Sequence, residues 1–125
     1  MARKKSGGTT SADLLATLLK VPGIESVMII GRDGFVIESL GDDRALVEMD
    51  ALGASLATMV NSVDEMGEEL EISTFADLNI TYGRAVIVAV SLGDSVLVVL
   101  APDAKTLGTV RYQCRKVLPE LKEFF

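Results

Sequence analysis

Histidine and tryptophan are both absent from this sequence. Without imidazole, the chain lacks the side chain that most often acts as a general base near neutral pH and most often binds zinc through nitrogen. Cysteine is limited to Cys114, so no internal disulfide can form and no zinc or iron–sulfur site can be built from thiolates. A chain of 125 residues can bury a core without such staples, and a lone thiol fits a reducing cytoplasm, the expected setting. Positive charge is also scarce. Against 18 Asp and Glu stand 12 Lys and Arg, for a formal net charge of −6. Three of those bases, Arg3, Lys4 and Lys5, crowd the opening "MARKKSGGTTSA", so the remainder is more acidic still. A nucleic-acid binder needs the opposite balance, which argues against DNA and RNA as partners. No apolar run approaches the roughly 20 residues of a bilayer span, so no membrane insertion is expected. The basic opening also has no apolar segment behind it to make a secretory signal. Residues 1–10 therefore read as a disordered basic leader, and residues 11–125 as one domain.

What is present is strong hydrophobic periodicity. "SADLLATLLK" predicts a short helix capped by Ser11 or Asp13, with Leu14, Leu15, Leu18 and Leu19 on one face and Pro22-Gly23 ending it. "ESVMIIGRDGFVIES" predicts a hairpin, with Asp33-Gly34 supplying the positive φ of its turn. After "GDDRA", where Asp42 or Asp43 can cap, residues from about Arg44 to Glu69 take a helical period. Ala45, Met49, Leu52, Leu56, Met59, Val60, Val63 and Met66 form the expected apolar stripe. Three strands follow: "FADLNIT", then "AVIVAVS" after a turn at Tyr82-Gly83-Arg84, then "SVLVVLA" after Gly93-Asp94. Pro102 and Asp103 introduce a last helix that buries Leu107, Val110, Cys114, Val117 and Leu118, with Pro119 expected to break or kink it.

The fold class is therefore α/β (α+β), with element order α-β-β-α-β-β-β-α. "VMII", "AVIVAV" and "VLVVLA" are apolar on both faces, so they must be central and covered by helices on both sides. "FVIES" and "FADLNIT" are only half apolar and belong at the edges. One arrangement satisfies these constraints: a five-stranded antiparallel sheet of order 2-1-5-4-3, the long helix on one face and the terminal helices on the other.

The long helix poses a problem that the sheet alone does not solve. From Ala51 to Val63, "ALGASLATMVNSV", it carries no charge, although its outer face should be polar. Val47, Ala51, Ala54, Thr58 and Asn61 fall opposite the expected stripe, and small residues there let a second helix approach closely. The chain has no spare long helix, so the simplest partner is another copy. The edge strand containing Leu78 would also be protected by pairing with its twin. At either end of the neutral run stand the acids Glu48 and Asp50, then Asp64, Glu65 and Glu68, which suit a solvated face or a basic partner.

From Ser11 to about Leu121, the chain resembles the roadblock/LC7 family of dynein light-chain-related domains, of the type found among bacterial GTPase regulators. The segments "VPGIESVMIIGRDGFVIES", "MDALGASLATMV" and "AVIVAVSLGDSVLVVLAP" carry the resemblance. It implies a dimer that joins the long helices and third strands of two copies. It also implies a non-enzymatic platform that binds a small Ras-like GTPase and modulates its nucleotide cycle, as a GTPase-activating protein does. The alternative it implies is a scaffold subunit of a motor, motility or signalling assembly, indifferent to nucleotide. The residues themselves offer no chemistry to set against this. No G-x-x-x-x-G-K-[ST] occurs, and "SGGTTS" lacks the lysine and the preceding strand of a phosphate loop. Cys114 reads as core, Asp42-Asp43 as a loop and cap, and Asp33 and Asp94 as turn residues. Arg32 and Arg84 read as solvated turn residues rather than arginine fingers. No catalytic residue, cofactor or metal is expected.

Overall fold

The computed structural model describes residues 10–41, 49–73, 75–102 and 104–125. Residues 1–9 of the expected basic leader, the cap at Asp42 or Asp43, the helix start from Arg44 to Glu48, and Asp103 lie outside the described residues. Helix α1 spans Ser11–Leu19, and strands β1 (Ser26–Gly31) and β2 (Val36–Gly41) follow. Helix α2 covers Met49–Glu69, and strands β3 (Asp77–Thr81), β4 (Val86–Ser91) and β5 (Ser95–Ala101) come next. A 3₁₀ turn at Ala104–Thr106 leads into α3, Leu107–Lys122. The sheet has the order β2-β1-β5-β4-β3, antiparallel throughout, as the strand compositions require. Its interior strands are buried on both faces, while β2 and β3 are half-buried edges.

Alternation along the strands divides the core in two. On one face Val27, Ile29, Val88, Leu97 and Val99 pack with Leu15 and Leu18 of α1 and Val110, Cys114 and Leu121 of α3. On the other, Met28, Ile30, Ala89, Val96 and Val98 pack with Met49, Leu56 and Val60 of α2. A bulge between Ile29 and Ile30 places Ile29 opposite Glu38 but Ile30 opposite Val36, so Ile37 is the extra residue. Val36 and Glu38 consequently serve opposite faces. Val36 joins the α2 layer, and Glu38 accepts a hydrogen bond from the Ser11 hydroxyl of α1.

Several local expectations are corrected. The N-cap of α1 is Thr10, not Ser11 or Asp13: the Asp13 N–H donates to Thr10 Oγ1 at 3.0 Å, and the Thr10 N–H donates to Asp13 Oδ2 at 2.9 Å. The Asp13 carboxyl is held below its ordinary range first by that bond from the Thr10 backbone, then by the Thr10 side chain. Pro119 does not end α3, which runs on to Lys122. The proline removes only the amide bond back to the carbonyl four residues earlier, within the last helical turn. The stripe that α2 buries is Met49, Gly53, Leu56, Ala57, Val60 and Gly67, whereas Met59 and Met66 are exposed. Gly53 and Ala57 take the place of larger residues because α2 presses against the β1–β2 turn, and Gly67 does so because a Cβ there would lie 2.7 Å from the Ser73 carbonyl oxygen. A Cβ on Gly53 would lie 3.0 Å from the Gly34 carbonyl oxygen, and one on Gly34 would lie 3.2 Å from Ala54 Cα. Gly34, at φ +94°, meets the turn's need for positive φ as well.

Candidate functional site

The outward face of α2 is the feature the fold leaves unexplained. Ala51, Ala54, Ser55, Thr58, Met59, Asn61 and Ser62 are all exposed, and none is charged. Of the residues expected at an interface, Ala51 and Thr58 lie squarely opposite the buried stripe. Ala54 and Asn61 lie on the flank nearer the β1–β2 turn. There Asn61 Nδ2 donates to the Arg32 carbonyl at 3.2 Å, and Ala54 borders a cleft of about 380 Å³ with Asp33, Gly34, Phe35 and Asp50. The Thr58 hydroxyl is turned back onto the Ala54 carbonyl at 3.2 Å, so the helix presents its methyl side. Val47 and Glu48 lie outside the described residues.

The other flank of α2 is apolar. Leu52 and Val63 are half-buried there, and Met59 and Met66 stand out from it. Among the strands, β1 and β2 lie closest to α2, so the helix sits toward that side of the sheet. Leu52, Phe75, Leu78 and Ile80 pack at the margin of the α2-side core, each only half-buried. Beyond them β3 pairs with β4 alone among the described residues, which leave its second edge open. Leu78 thus does not touch the Ala54–Asn61 flank. It lies on the half-covered side of the same sheet face. Sequence pattern misassigned Met59 because it counts apolar residues, while the buried stripe uses Gly53 and Gly67.

The acidic residues separate into two kinds. Asp50, Glu65 and Glu68 are exposed at the two ends of the neutral face. Asp64 is engaged within the protomer, accepting from Arg32 Nη1 and from the Phe75 N–H at 3.4 Å. Arg32 also donates from Nε to the Gly93 carbonyl at 2.8 Å and from Nη2 to Ser91 Oγ at 3.2 Å, with its guanidinium 5.5 Å from the Phe75 ring centre. It is a half-buried clamp rather than a solvated turn residue. Arg84 is exposed.

On the opposite face of the sheet, Cys114 is fully enclosed between α3 and the strands. Burial, with a smaller contribution from the Asp77 charge, pushes its thiol up to about 12, the reverse of what a nucleophilic thiolate requires. Among the described residues no cluster of His, Cys, Asp and Glu could hold a metal ion, and no helix is long and apolar enough to cross a membrane.

Similar proteins share this architecture. Uncharacterized protein MJ0310 of Methanocaldococcus jannaschii is 26% identical over 112 residues, covering 90% of this chain and 96% of that one. The solved structure of Myxococcus xanthus MglB superposes with a TM-score of 0.81 at 21% identity, covering 92% of this chain and 96% of that one. An MglB chain from a structure described as having a tetrameric arrangement superposes at 0.80 with 19% identity, over 90% of this chain and 85% of that one. At such identities the structural likeness speaks to the fold. The family model of the Roadblock/LC7 domain matches residues 10–101, most of the length, and the chain belongs to that family.

Proposed function

We propose that this chain is a non-catalytic regulator that forms a homodimer and binds a small Ras-like GTPase, modulating its nucleotide cycle in the cytoplasm. The observation that carries the reading is the two-sided α2: an uncharged outward face beside an open β3 edge on the half-covered side of the sheet. Pairing two copies about a dyad would bury Ala51, Ser55, Thr58 and Met59 between helices and close the β3 edges over Leu78. The arrangement described for one MglB, a tetramer, accords with a chain of this fold that self-associates. Asp50, Glu65 and Glu68 would then recur on the outer rim, where like charge affects encounter rate and partner choice more than affinity.

The test is binding of the purified chain to small GTPases from its own source, loaded with GDP or with a GTP analogue, followed by a hydrolysis assay. Binding that prefers one nucleotide state, with an altered hydrolysis or exchange rate, is expected. Equal binding in both states supports the scaffold reading instead, and no binding in either state contradicts the GTPase reading.

A further inference from the structure

On the sheet face turned away from α2, a groove opens between α3 and the strands β3 and β4 and runs on to the loops at the end of the sheet. Arg111, Arg115, Leu118 and Lys122 follow one another at steps of four, three and four. That spacing puts them on one flank of α3 over roughly 16 Å. Two recesses lie along the flank, of about 130 and about 310 Å³, and Ala76 and Leu118 line both. Arg111 and Arg115 border the first beside the apolar Val88 and Val90, and Lys122 borders the second near Ser91 and Gly93. None of the described lining residues belongs to α2. Pairing of β3 edges in the plane of the sheet, as in the proposed dimer, would leave the groove open on this face.

Charge in this groove runs against the composition of the chain. Acids outnumber bases 18 to 12 overall, yet the described lining holds three bases and one acid, Asp77. That acid is already engaged: its Oδ1 accepts from Asn79 Nδ2 at 3.0 Å and lies 3.7 Å from Arg111 Nη2. The longer separation is an ion pair without a good hydrogen bond, and Arg111 Nε is enclosed with no partner among the described residues. Because the Arg111 side chain keeps 40% exposure, its fork can turn to an incoming carboxylate. Neither ion pair printed by the described side chains, Arg32 with Asp64 or Arg111 with Asp77, uses Arg115 or Lys122. A lone anion would meet only part of a flank this long. A flat anionic bilayer fits poorly too, since the bases line a recess and Glu120 and Glu123 stand exposed farther round the same helix. We propose that the groove binds an extended acidic segment of another protein, with its carboxylates on Arg111, Arg115 and Lys122 and its alternate apolar side chains on Val88, Val90 and Leu118. Acids two residues apart in an extended chain stand roughly 6.6 Å apart, close to the rise of roughly 6 Å from Arg111 to Arg115. This proposal does not rest on the GTPase reading.

The probe is a labelled peptide of about 10 residues that alternates glutamate with valine, titrated onto the full chain by fluorescence anisotropy. A peptide of the same composition, with its glutamates gathered at one end, is the control. The alternating peptide should bind about tenfold more tightly than the control and weaken as salt rises. Arg115→Gln with Lys122→Gln, both at exposed positions, should weaken it about tenfold at unchanged oligomeric mass. Asp77→Asn removes the groove's own competing carboxylate and should tighten binding about threefold, the opposite sign from damage to the fold. Equal affinity for the two peptides, no loss in the double variant, or no gain in a folded Asp77→Asn would overturn the proposal. So would a change in oligomeric mass in the double variant, which would assign the groove to contact between copies. Binding to phosphatidylserine vesicles in preference to the peptide would overturn it as well, and would make the flank a membrane contact.

Discussion

Arg32 in the β1–β2 turn and Asp64 on α2 form a partly buried ion pair that ties five segments together. Through it the turn, the helix, the approach to β3 at Phe75, the end of β4 at Ser91 and the β4–β5 turn at Gly93 share one side chain. Replacing Arg32 by alanine leaves the Asp64 carboxylate without its cation and should cost about 2 kcal/mol, below the range for fully buried pairs because both groups keep some solvent. Lysine should recover less than half of that, since one ammonium cannot match a fork that reaches three acceptors. Denaturant unfolding of the wild type, Arg32→Ala and Arg32→Lys checks the order. A variant with reduced GTPase regulation but unchanged stability would instead mark Arg32 as a residue offered to the partner.

Glu71 is the described non-glycine residue with positive φ. Glu71→Gly removes the steric cost of that conformation while keeping the two hydrogen bonds that close α2, from the Glu71 N–H to the Glu68 carbonyl and from the Ile72 N–H to the Gly67 carbonyl. Unfolding free energy should rise by about 1 kcal/mol. A fall would mean that the glutamate side chain contributes more to the folded state than its backbone strain removes.

Gly53 sits in the middle of a helix, where alanine would ordinarily gain about 1 kcal/mol. Here the new methyl would meet the Gly34 carbonyl oxygen at 3.0 Å and two core methyl groups at 3.4 Å. Backbone is a poor candidate to yield, so Gly53→Ala should be net destabilising, by about 1 kcal/mol. Thermal unfolding of Gly53→Ala against Ala51→Gly, an exposed position that loses only propensity, separates packing from helix formation.

Cys114 gives a pH dependence of known sign. Its folded-state value of about 12 lies above the ordinary value of 9.0, so the native state retains a proton that the unfolded chain gives up. The associated stability is fully present below pH 9 and declines as pH rises from there toward 12, by up to about 1.4 kcal/mol per pH unit. Cys114→Val should lack this component. The difference in unfolding free energy between the two proteins, measured at pH 8 and pH 10, isolates it from the other titrations. The native thiol should also resist alkylation until denaturant is added.

Sheet order was legible because it follows from composition: strands apolar on both faces have to be interior, and one hairpin, a three-stranded meander and a single return through α2 leave one arrangement. The sides of α2 were only half legible. A hydrophobic period selects Met59 and Met66, yet the helix must pass close to Gly34, and that approach favours Gly53 and Ala57 beneath it. The role of Arg32 was not legible at all, since Asp64, Ser91 and Gly93 reach it only through the tertiary fold. The cap of α1 was missed by one residue because Thr10, Ser11 and Asp13 can all cap. Only the reciprocal bonds between Thr10 and Asp13 distinguish them. Pro119 was overweighted because its cost depends on how many helical turns remain after it.

The central claim is that α2 meets its own sheet on one side and the α2 of a second copy on the other. Light scattering coupled to size exclusion, run on the wild type and on Thr58→Arg, tests it most directly. The wild type should have twice the mass of one chain. Thr58→Arg should elute as a folded single chain, because an unpaired guanidinium cannot be buried between two uncharged helices without a large desolvation cost. A wild type with the mass of one chain, or a Thr58→Arg variant that stays dimeric with its helical signal intact, would contradict the account.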